Sequence, residues 1–110
     1  MPELKLCAST TISIALKPFN YNAHGHDVTI EACWCTSFER RVDLEVLAEK
    51  LEKVAEVFDR RPLWELLGLD NAMIEDLLLE ISRRLSNVEG LRLCSISARW
   101  ANNRGVFLSF

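Results

Sequence analysis

A chain of 110 residues has the size of one domain, 1–110, and 49% apolar with 26% charged residues makes it globular rather than disordered. The net charge of −3, with Arg40-Arg41, Arg60-Arg61 and Arg83-Arg84 set among acids, argues against a nucleic-acid partner. No apolar run reaches the roughly 18 residues of a membrane span and no signal peptide is visible, so no membrane partner and a cytoplasmic location are expected.

From Leu4 to Leu16 the chain alternates: Leu6, Ala8, Ile12, Ile14 and Leu16 share one parity, and Lys5, Ser9, Thr11 and Ser13 the other. A period of two predicts a half-buried strand. Lys17-Pro18-Phe19-Asn20-Tyr21-Asn22 supplies a turn, since proline fixes φ and asparagine tolerates the left-handed region. A second strand follows, with Val28, Ile30, Ala32 and Trp34 on one face and Thr29, Glu31, Cys33 and Cys35 on the other.

The period then changes. Leu44, Leu47, Leu51, Val54 and Phe58 form a helical stripe, with Asp43 as its N-cap and Arg61-Pro62 as its end. The connector from Leu63 to Asp70 has room for one short helical turn. Ile74, Leu77, Leu78, Ile81 and Leu85 form a second stripe, capped by Asp70 or Asn71. Glu89-Gly90 breaks it, and Leu91 to Trp100 reads as a strand whose inward parity switches between Leu93 and Ile96, the mark of a bulge. Ala101 to Gly105 is a hairpin turn, and Val106, Leu108 and Phe110 belong to a last strand.

The order ββααββ predicts an α+β fold in two layers, a four-stranded antiparallel sheet with two helices on one face. The other face must meet solvent or another subunit. Tyr21, Trp34 and Trp100 are large residues for so small a chain, which points to self-association.

The two histidines stand together as His24-Gly25-His26 at the mouth of the second strand. Residues i and i+2 of a strand share a face, so both imidazoles can approach one cation. The other reading leaves them partly exposed and bonded to backbone or water. Cys33 and Cys35 cannot complete a site with them: seven residues of strand span roughly 23 Å, and the parity is opposite.

Four cysteines without a CxxC pair read as cytosolic thiols. If the first hairpin turns around Asn20, Cys7 faces Cys33, as a cross-strand disulfide or as two packed thiols. Asp59 and Glu75 each lie near a helix end, where side chains can converge on a cleft. Surface carboxylates are the alternative. No glycine cluster of a phosphate or dinucleotide loop is present.

In layout the chain resembles the 6-pyruvoyl and 6-carboxytetrahydropterin synthase family, the tunnelling fold. His24-Gly25-His26 enters a strand, Val42-Asp43-Leu44 opens the first helix, and Phe58-Asp59-Arg60-Arg61-Pro62-Leu63 follows it. Asn71 to Leu77 opens the second helix, and Arg99 to Phe110 stands where that family has its last hairpin. The resemblance implies bare sheet faces closing into a barrel, as trimers or stacked hexamers. It also implies a zinc-dependent lyase site at subunit boundaries, acting on dihydroneopterin triphosphate or a related pterin. In that picture His24 and His26 hold zinc, Asp59 is catalytic, and Glu75 and Trp100 lie at the ligand.

The chain departs from the pattern at several points. The third zinc histidine is replaced by Ile14 or Leu16, and the loop before His24 has no cysteine. An Asp-His pair is reduced to Asp59-Arg60, Glu75 follows Ala72-Met73-Ile74, and a pterin-anchoring glutamate is replaced by Trp100 or its neighbour Arg99. A carboxylate meets the paired donors of a pterin with two hydrogen bonds, whereas an indole has one donor and no acceptor. Two functions therefore follow from the resemblance: a divergent metal-dependent enzyme, or a non-catalytic oligomeric relative binding a pterin- or purine-like ligand.

Overall fold

The computed structural model describes residues 2–17 and 24–110, with His24 described by its backbone alone. The turn expected at Lys17 to Asn22 therefore lies outside the described residues from Pro18 on. Two long strands flank it, β1 (Glu3–Leu16) and β2 (His24–Ser37), paired antiparallel from Glu3↔Ser37 to Leu16↔His24. Partner numbers sum to 40 throughout, which is the register expected of a turn around Asn20.

Helix α1 (Leu44–Glu56) starts where Asp43 accepts the Glu45 N–H at 3.0 Å. That bond satisfies one of the free donors of the first turn. Leu47, Leu51, Val54 and Ala55 form its buried stripe. The helix ends before the expected Arg61-Pro62. Residues 57–60 turn instead, with Arg60 left-handed at φ 60° and Phe58 buried beyond the helix. Arg61–Pro62 form a two-residue strand, β3, parallel to Ile14 and Ala15 of β1.

The connector forms α2 (Leu63–Leu67), closed by a left-handed Gly68 at φ 66°, a conformation that costs glycine little. Helix α3 (Ile74–Leu85) begins at Met73 rather than at Asp70 or Asn71. The Met73 N–H donates to Asp76 at 2.9 Å, so the acid three residues into the helix does the work expected of the cap.

A short β4 (Asn87–Val88) precedes β5 (Leu91–Trp100) and β6 (Arg104–Ser109). The sheet runs β3-β1-β2-β5-β4, with β6 on the same side of β5 as β4. It is thus six-stranded where four strands were expected. The two added strands are dipeptides too short to carry an alternation, which is why periodicity does not predict them. The α+β class and the element order hold.

Helices α1 and α3 pack on one face, against β1 and β5 respectively. That face presents Ile12, Ile14, Leu16, Val28, Ile30, Ala32, Trp34, Ile96 and Ala98, all buried. Trp34 is fully enclosed and donates its indole N–H to the Leu85 carbonyl at 3.3 Å, fastening the end of α3 to the sheet. The expected bulge lies in β5: Trp34 pairs Leu93 while Cys33 pairs Ser95, leaving Cys94 as the extra residue. Because a one-residue shift exchanges the faces of a strand, this bulge directs Ile96, Ala98 and Trp100 inward.

Candidate functional site

The site expected from the sequence lies where β2 begins and β5 ends. His24 pairs with Leu16 and His26 with Ile14, so both histidines have the parity of the helix-covered face. His26 is half-buried, its ring centroid 6.4 Å from that of Trp100 at an interplanar angle of 52°. Trp100 is half-buried as well and packs at the margin of the core. The bulge at Cys94 thus helps build this pair, since it sets the parity that turns the indole toward the helix-covered side.

Asp59 and Glu75 are placed differently. The Asp59 carboxylate accepts the Ser13 backbone N–H at 2.8 Å, and the Arg60 N–H donates to the Ser13 carbonyl at 2.6 Å. Between them, Asp59 and Arg60 continue the pairing that β3 makes with β1, in the role of a further strand residue. The left-handed Arg60 lets the chain double back tightly enough to do so. Glu75 is exposed in the first turn of α3. The structure therefore brings His26 and Trp100 together, bonds the Asp59 carboxylate to the backbone of β1, and leaves Glu75 facing solvent.

A three-histidine zinc centre does not fit these residues. The β1 positions opposite His24 and His26 are Leu16 and Ile14, aliphatic and buried, and the chain has no further histidine. Among the described residues no group of three ligand atoms gathers around His26. Along the β1–β3 edge, Ser13, Ile14, Ala15, Arg60, Arg61 and Pro62 line an open, mainly apolar groove of about 380 Å³.

One set of metal-ligating side chains does converge, on the opposite face: Cys7, Glu31 and Cys33, with their ligand atoms all within 4.8 Å of one another. Cys7 and Cys33 are directly paired across β1 and β2 and form a disulfide, and Cys35 forms a second one with Cys94. The four cysteines are therefore not the free thiols expected of them. They pair because alternation and the Cys94 bulge set all four on the bare face, with their Cα atoms 4.1 and 5.8 Å apart within each pair. Glu31 shares the parity of Cys33 and stands two residues away, which is the sequence signal that marks it for this group.

The same face is mostly polar elsewhere, although β6 adds the exposed Phe107, paired with Ser97. Thr11 and Thr29 hydroxyls hydrogen-bond at 2.9 Å, Ser13 donates to Asp27, and Ser9, Thr29, Glu31, Ser97 and Arg99 line a hollow of about 220 Å³. No described helix is long and apolar enough to cross a membrane.

No protein-family model matches the sequence, and no curated protein matches it either. Solved structures do match the fold. The 6-pyruvoyl tetrahydropterin synthase of Caenorhabditis elegans superposes on 100% of this chain and 97% of its own, with a TM-score of 0.81 at 15% identity. The 6-pyruvoyl tetrahydropterin synthase of Plasmodium vivax covers 100% of both chains, with a TM-score of 0.69 at 12% identity. The chain has the pterin-synthase fold with a strongly diverged sequence. Likeness at such identities establishes the scaffold, and function has to be argued from the site.

Proposed function

We propose that this chain is a divergent pterin synthase-like protein that binds a pterin- or purine-like heterocycle at the His26–Trp100 margin, as a single-domain, cytoplasmic homo-oligomer. The observation that carries the reading is the half-buried aromatic pair, 6.4 Å between centroids, at strand ends of a pterin-synthase scaffold. A flat heterocycle gains stacking on an indole face and a hydrogen bond from imidazole or indole nitrogen. The guanidinium groups of Arg60 and Arg61, beside the Ile14 that pairs with His26, suit a phosphate-bearing tail. The bare sheet face and its free edges suit a closed trimer or a stacked hexamer, in which no strand edge is left open.

A second reading, a metal-dependent lyase acting on a pterin triphosphate, draws on the shared parity of His24 and His26. Two imidazoles make half of a zinc site, and a partner subunit or water would have to supply the rest. Asp59 and Glu75 would then be its acid–base and ligand-orienting groups.

Thermal-shift titration with neopterin, neopterin triphosphate and guanosine nucleotides tests the first reading. The expected result is a concentration-dependent rise in melting temperature with at least one of them, abolished in Trp100→Ala. A flat response across the set overturns it. For the lyase, triphosphate release from dihydroneopterin triphosphate should be lost in His26→Ala, and a zinc-supplied wild type that releases none ends that reading. Native mass measurement tests the assembly, against which a monomer would count directly.

A further inference from the structure

We propose that the bare face carries a redox-gated site for one thiophilic divalent cation of the zinc class, held by Cys7, Cys33 and Glu31 once the Cys7–Cys33 disulfide is reduced. The site is independent of the histidines, which have the opposite parity.

Its geometry comes from the strand scaffold. Cys7 and Cys33 are opposed residues of one ladder, and Glu31, opposed to Ser9, is the next same-face residue along β2. The Cys33 Sγ lies 3.7 Å from a Glu31 carboxylate oxygen, and the three ligand atoms fit within 4.8 Å. Tetrahedral zinc, with Zn–S near 2.3 Å and Zn–O near 2.0 Å, sets its ligand atoms roughly 3.5–3.8 Å apart. The thiolate–carboxylate spacing is already there. What must change is the sulfur–sulfur separation, and side-chain rotation supplies that without unpairing the strands.

The donor set selects the cation. Two thiolates and one carboxylate favour a borderline-soft ion over magnesium or calcium, which take oxygen ligands. The fourth position opens toward the 220 Å³ hollow lined by Ser9, Thr29, Glu31, Ser97 and Arg99, where water has room and the guanidinium offsets the net negative charge of the complex. Cys35–Cys94 joins β2 to β5 one same-face position beyond Cys33, so its thiols, freed by the same reductant, are the competing ligands that a variant lacking both removes.

The chemistry balances with a cellular dithiol as reductant. The protein S–S bond breaks, two electrons and two protons pass to Cys7 and Cys33, and the dithiol leaves as its own disulfide. The cation then displaces both thiol protons to water, so binding weakens as pH falls. A protein that is disulfide-bonded in an oxidising setting and metal-bound in a reducing one would fit a cytoplasmic location, where lasting disulfides are rare.

Cobalt(II) is the probe. The protein is reduced with a phosphine, freed of reductant without oxygen, and titrated. The expected result is one cobalt per chain with thiolate-to-cobalt charge-transfer absorption, absent before reduction. The absorption should vanish in Cys7→Ser and survive in His26→Ala and in the double variant Cys35→Ala/Cys94→Ala. Glu31→Gln should weaken binding at least tenfold, on the scale of 10–100-fold losses around metal sites. Reduced protein that keeps its far-ultraviolet circular dichroism yet shows no such absorption overturns the proposal. So does absorption that persists in Cys7→Ser, unchanged affinity in Glu31→Gln, or a reduced chain that unfolds and is not restored by the metal.

Discussion

The two faces of the sheet are held by different means although the same strands build both. On the covered face the alternation of β1 and β2 delivers aliphatic side chains and Trp34 to α1 and α3, and area removed from water supplies the stability. On the bare face the alternate residues are mostly Ser, Thr, Asp, Glu and Cys, joined in part by hydroxyl hydrogen bonds and two disulfides. One face is fixed by packing, which is permanent under native conditions. The other is fixed in part by bonds that a reductant removes, which leaves it the more convertible surface.

Packing should dominate. Trp34→Ala removes the largest fully buried side chain of the described residues together with its bond to Leu85, and it should cost about 3–5 kcal/mol, the range for aromatic truncations in cores. Urea unfolding of the oxidised protein checks this. A loss under about 1 kcal/mol would mean that the covered face is not the main source of stability.

The disulfides should come next, and unequally. Cys35–Cys94 closes a separation of 59 residues and Cys7–Cys33 one of 26, so loop entropy favours the former by about 0.7 kcal/mol of a total near 4. Cys35→Ala/Cys94→Ala should therefore be the less stable of the two double variants in the same urea assay. Reversal of that order would show that the hairpin disulfide constrains more than its short loop.

Much of this contrast is legible in the sequence, and the illegible parts have identifiable causes. Strand parity, the hairpin register and the bulge are read from alternation because a half-buried strand must repeat every two residues. The same logic sets His24 and His26 on one face and Cys7 opposite Cys33. What alternation lacks is any signal for events at strand edges. The dipeptide strands Arg61–Pro62 and Asn87–Val88 are too short to show a period. A carboxylate after a helix reads alike in sequence whether it meets a substrate or a backbone N–H, so the bond from Ser13 to Asp59 carries no signal of its own. For the cysteines, composition indicates only a compartment; the hairpin register leaves Cys7–Cys33 open as a disulfide or as packed thiols, and Cys35–Cys94 depends on a bulge that brings Cys94 beside Cys35.

The edge where the two faces meet offers the finest test, and the effect there should be the smallest. Asp59 accepts the Ser13 N–H, whose neighbours along β1 are the buried Ile12 and Ile14 of the covered face. The Ser13 hydroxyl, by contrast, donates to Asp27 on the bare one. Asp59→Ala deprives a part-buried donor of its acceptor and should cost about 1–3 kcal/mol. Asp59→Asn keeps an oxygen in the same place and should recover most of that loss. The pair of variants separates the carboxylate's two roles, because asparagine can accept the Ser13 hydrogen bond but cannot carry a proton. Stability restored in Asp59→Asn with ligand binding intact assigns Asp59 to the sheet edge. Restored stability with a selective loss of triphosphate release would instead give it a part in the chemistry at the His26 end.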